Sequence, residues 1–140
     1  MVSDVIVNWT AVLAAAAACM VLGSLWYGPL FGKAWMKSMG WDPNQPMTPE
    51  KKKAGNKAMM WMVPVSLLTA YVLAHFVDYT ASVTWAEGAQ TGFWIWLGFQ
   101  LTLLIQSVIF EGKKRETMVI NASYQLAALT TMGAILAVWA

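Results

Sequence analysis

All nine Lys and Arg residues of this chain fall in two short segments, Lys33 to Lys57 and Lys113 to Arg115. The apolar runs around them contain no basic residue. A charge at the centre of a bilayer costs about 3 kcal/mol or more. A chain that clears long runs of Lys and Arg is therefore built to cross a membrane, not to close around a soluble core. Composition agrees, with 59% hydrophobic residues and only 11% charged ones. Soluble domains average about 25% charged.

Four runs are long enough to cross hydrocarbon: residues 9–28, 58–77, 86–110 and 117–139, with a basic loop over 33–57. The whole chain, 1–140, reads as a single transmembrane domain. Four spans put both basic segments on one side, and the positive-inside rule makes that side cytoplasmic. Three or five spans would divide them between faces. The expected fold is thus an all-α integral membrane protein, four transmembrane helices in an antiparallel bundle with both termini extracytoplasmic. The inner loops then hold all nine bases and four acids (Asp42, Glu50, Glu111, Glu116), and the outer parts only Asp4, Asp78 and Glu87.

The stretch Gly23 to Trp35 ends the first run and sets the position of the loop beyond it. Trp26 and Tyr27 suit the headgroup layer. Pro29, between Gly28 and Gly32, cannot donate a backbone hydrogen bond and predicts the end or a sharp bend of the helix. Lys33 and Lys37 then belong in water. Upstream, Ala11, Ala15, Cys19 and Gly23 recur every four residues, a stripe of small side chains along which another helix can pack closely. Ala16-Ala17-Ala18-Cys19 has a faint likeness to a lipoprotein cleavage site. It lacks the large aliphatic residue three before the Cys, and no Lys or Arg precedes it, so no cleavable signal peptide is expected.

Further along, Thr48-Pro49-Glu50 reads as an N-cap, a first helical position and a first-turn acid. A helix starting there can run past Lys51-Lys52-Lys53 into the membrane, with a kink expected at Pro64. Thr84-Trp85-Ala86-Glu87 fits a capping box. Gly88 and Gly92 form a GxxxG pair close to the membrane surface, by itself a weak signal. Gly112 is placed to stop the third helix, and the short turn after it makes spans three and four antiparallel neighbours.

Constellations for soluble chemistry are missing. One His and one Cys exclude a two-His metal motif and a thiolate cluster. No phosphate-binding glycine loop or nucleophile elbow occurs. Neither enzymatic activity nor a cofactor is expected. The lysines lie beside a span, which favours anionic lipid headgroups at the cytoplasmic face over nucleic acid. No Asp, Glu, Lys or Arg lies mid-span, which weighs against ion-coupled transport.

Polar residues inside the spans are therefore the informative ones. Trp96, Gln100 and Ser107 lie near one face of span three, with Gln106 pointing elsewhere. Asn121, Tyr124 and Gln125 share a face in span four. Amides in hydrocarbon need partners, so Gln100, Asn121 and Gln125 should face protein or water, either as ties between helices or as a small-solute site. Glu111, at the neighbouring end of span three, is a candidate partner for Asn121. His75 is the one side chain that ordinarily titrates near neutrality. It reads as an interfacial residue or as a proton-linked switch with Tyr71 and Asp78.

The run Leu25-Trp26-Tyr27-Gly28-Pro29-Leu30-Phe31-Gly32-Lys33 resembles the signature of the domain-of-unknown-function family 1761. Tyr71 to His75, Trp96-Leu97-Gly98-Phe99, Phe110-Glu111-Gly112 and Ile120 to Tyr124 are similar to its other recurring segments. The resemblance implies a small four-span protein of the bacterial cytoplasmic membrane, with no assigned catalytic residue. Two functions compete. One is a structural or interaction role, as a self-associating bundle or an accessory subunit of a larger membrane complex. The other is a channel or carrier for a small neutral or lipophilic solute.

Overall fold

The structure, a computed structural model, describes residues 4–139; Met1–Ser3 and Ala140, where the two chain ends lie, are outside the described residues. All regular structure within it is helical. Four stretches are long and apolar enough to cross a membrane: Trp9–Leu30, Pro49–Tyr79, Trp85–Glu111 and Arg115–Val138.

Helix α1 (Trp9–Leu25) starts where the Asn8 side-chain oxygen accepts hydrogen bonds from the Thr10 and Ala11 amides, at 3.1 and 3.2 Å. These donors have no partner within the helix, so the cap satisfies them. At Trp26–Leu30 the backbone widens into a π-helical turn. Pro29 has no N–H to return to the preceding turn, Gly28 leaves helical geometry, and the Phe31 amide reaches back to the Trp26 carbonyl at 2.9 Å. The short helix α2 (Gly32–Ser38) comes next. Its Gly32 is buried under the turn, where a Cβ would sit 2.7 Å from the Tyr27 carbonyl oxygen.

Helix α3 (Pro49–Tyr79) carries the Thr48 cap, whose hydroxyl accepts from the Lys51 amide. Its 31 residues extend about 46 Å, more than a hydrocarbon core needs. The charged first turns therefore stand clear of the apolar part. The kink expected at Pro64 is not accompanied by a break: the helix continues through it, with Pro64 on an exposed face. A capping box between Thr84 and Glu87 opens α4 (Trp85–Ile95). A second π-helical turn, Trp96–Gln100, leads to α5 (Leu101–Glu111), which ends on Gly112 in the left-handed conformation at φ 69°. Helix α6 (Arg115–Val138) completes the chain.

Helix α6 is the centre of the assembly and packs against α1, α3 and α4. Lipid is as apolar as Leu, so close packing rather than water exclusion must hold helices together here. The stripe Ala11, Ala15 and Cys19 is buried. Gly88, Gly92 and Gly133 form the tightest approach: a Cβ on Gly88 would overlap the Gly133 carbonyl, and one on Gly92 the Leu129 carbonyl. The glycine pair is thus a buried contact between helices. Gly133, its counterpart in α6, forms a small-xxx-small pair with Ala137, whose Cβ also borders Gly88. Burial is uneven along the bundle. Helix α3 buries Ser66, Ala70, Leu73 and Val77 but nothing before them, and α5 buries no residue.

Candidate functional site

The polar groups of the first and fourth spans meet on one side of α6. The Tyr27 hydroxyl donates to Asn121 Oδ1 at 2.6 Å. One turn further along α6, the Tyr124 hydroxyl donates to the Cys19 carbonyl at 3.2 Å and lies 3.3 Å from its Sγ. Tyr124 is buried, and Gly23 leaves room for its ring: a Cβ there would come within 3.1 Å of the hydroxyl. On the other side of α6, Trp96 Nε1 donates to the Ala122 carbonyl at 2.8 Å. Three interhelical bonds thus tie the first and third spans to the fourth.

Aromatic rings extend this cluster toward the loop. Tyr124 packs edge-on against Tyr27 (5.2 Å), Tyr27 against Trp35 (5.6 Å), and Trp35 against Trp41 (5.4 Å). Trp26 and Tyr27, beside the wide turn at Gly28-Pro29, are both half-buried and pack against the core. Trp26 Nε1 is buried without a hydrogen-bond partner.

Other expected residues stand apart. Glu111 is not the partner of Asn121: it is exposed at the end of α5 and pairs with Lys113 at 3.3 Å, while Asn121 faces α1. Gln100 sits half-buried in the second π turn, and Gln125 is half-buried between Asn121 and Leu129 along α6. Ser107 donates to its own helix at Leu104. His75 is half-buried with Nδ1 2.8 Å from the Tyr71 carbonyl, between the rings of Tyr71 and Tyr79. Gly28, Pro29 and Lys33 are exposed, whereas Gly32 is buried. Among the described residues no group of three His, Cys, Asp or Glu is placed to hold a metal ion.

One hydroxyl cluster escaped the sequence reading. Thr80, Ser82 and Thr91 lie within 2.8 to 3.1 Å of each other and clasp the turn between α3 and α4. Isolated Ser and Thr near a turn give no sequence signal that they will converge.

Four apolar helices joined by such ties define a multi-pass membrane protein. The family described as "Protein of unknown function (DUF1761)" matches residues 10–137, and the chain belongs to it. No curated protein and no solved structure matches the chain.

Proposed function

We propose that this protein has a structural or interaction role in the bacterial cytoplasmic membrane, as an antiparallel four-helix bundle that self-associates or serves as an accessory subunit of a larger assembly. It needs no enzymatic activity or cofactor for this role. The order of contacts supports the antiparallel arrangement: Gly88 meets Gly133, Gly92 meets Leu129, and Trp96 meets Ala122. The exposed lysines of the 33–57 loop suit anionic lipid headgroups.

The observation that carries the interaction reading is α5. It buries nothing, yet it presents Thr102 and Gln106 on exposed positions within a span. The Thr102 hydroxyl satisfies itself on the Gly98 carbonyl at 2.8 Å. The Gln106 amide has donors and an acceptor that lipid tails cannot match. An amide offers both halves of a reciprocal pair, so Gln106 from a second copy is a fitting partner. The test is the mass of the solubilised protein and energy transfer between labelled copies in vesicles. Wild type should associate, and Gln106→Leu should shift it toward monomer. A wild-type monomer with no co-purifying subunit overturns the reading.

The carrier reading draws on Trp26 Nε1, a buried donor without a partner, and on the half-buried amides of Gln100 and Gln125. Against it, Asn121 and Tyr124 already bond to other helices. Asn121→Leu separates the two. Loss of a co-purifying small molecule with the fold intact supports the carrier, and a modest loss of stability alone supports the tie.

A further inference from the structure

At the C-terminal end of α3 a cleft of about 560 Å³ opens between α1, α3, α6 and the extended segment before α1. Its walls are apolar: Val5, Val7, Ala74, Val77, Val83 and Leu136. Three polar residues also line it, Asn8, Ser82 and Asp78. Two of these are already committed. Asn8 caps α1 with its oxygen and donates from Nδ2 to the Trp139 carbonyl at 2.9 Å, and Ser82 belongs to the hydroxyl clasp. Asp78 differs from both.

Its carboxylate lies in the last turn of α3, where the helix dipole disfavours an anion. No Lys or Arg side chain among the described residues pairs with it. The one ion pair among the described residues is Lys113 with Glu111. The nearest Lys along α3 is Lys57, roughly 30 Å away at 1.5 Å per residue. His75, one turn before, directs Nδ1 to the Tyr71 carbonyl. An acid placed against the local electrostatic preference, beside an apolar cleft of ligand size, points to something outside the chain.

We propose that this cleft binds a single-tailed amphiphile with a cationic ammonium head, its tail along the Val and Leu walls and its head at Asp78. A phospholipid fits less well, because its phosphate would meet Asp78 where no Lys or Arg can receive it. The site does not depend on self-association, since all its walls come from one chain.

The probe is decyltrimethylammonium added to the full-length protein in a neutral maltoside detergent, read by thermal unfolding over a concentration series. Wild type should be stabilised saturably, as expected for a ligand that binds only the folded state. Asp78→Asn should weaken this binding roughly tenfold, and Asp78→Glu should recover most of it. Val83→Trp, in the loop, should block the cleft without touching the charge. Decylphosphocholine, with the same tail and cation but a phosphate, should bind much more weakly. Equal binding by wild type and Asp78→Asn overturns the proposal, as does equal binding of the two probes by wild type.

Discussion

Tyr27 and Asn121 are ninety-four positions apart in sequence and share the shortest interhelical hydrogen bond in the bundle, at 2.6 Å. That bond replaces what an isolated amide would lose in hydrocarbon. Measured ties of this kind average about 0.6 kcal/mol and reach about 2. In a double-mutant cycle, Tyr27→Phe and Asn121→Leu should each destabilise the protein, with a coupling of about 1 kcal/mol in reversible unfolding from mixed micelles. Strictly additive losses would mean the contact contributes nothing. The sequence marked Asn121 as needing a partner, because an amide inside an apolar run is conspicuous. It did not reveal which partner. Glu111 was the near candidate along the hairpin, but partner choice depends on which face of α6 meets α1, and a single helix does not disclose its rotation.

For the helices themselves, glycine placement separates close packing from mere permissiveness. Gly88, Gly92 and Gly133 sit where a Cβ would collide with a facing backbone, whereas Gly98 has open space around it. Gly133→Ala should force α4 and α6 apart and cost about 2 kcal/mol or more, the usual scale of overpacking. Gly98→Ala should stay within about 0.5 kcal/mol of wild type, as surface changes do. If both lower the unfolding midpoint equally, close approach is not what holds these helices. The caps at Thr48 and Thr84 and the stop at Gly112 were legible in sequence because each is a local rule about orphaned backbone groups. The turn at Trp96–Gln100 was not, since it carries no proline to mark it. The first π turn does carry its cause. Pro29→Ala should restore a backbone donor, let α1 run on, and change protease access to the 33–57 loop. Unchanged cleavage and midpoint would remove Pro29 from that role.

At the scale of the molecule, four apolar helices were readable because charge segregation is a property of the whole chain and needs no knowledge of contacts. The orientation proposed for the bundle rests on the same segregation, and it has a direct test. The charged start of α3 and the turn between α5 and α6 hold eight exposed or loop-borne acids and bases in close sequence: Glu50, Lys51, Lys52, Lys53, Lys57, Lys113, Lys114 and Arg115. Burying or translocating that charge opposes the positive-inside preference. On a background with Cys19 replaced by Ser, single cysteines at positions 51 and 114 should resist a membrane-impermeant maleimide in intact cells and react once the membrane is opened. A cysteine at position 83, in the turn between α3 and α4, should react in intact cells, because α3 carries the chain across once between 51 and 83. Labelling of 51 or 114 from outside would invert the orientation. Equal labelling of 51 and 83 would mean that α3 does not cross, and with it the four-span arrangement would fail.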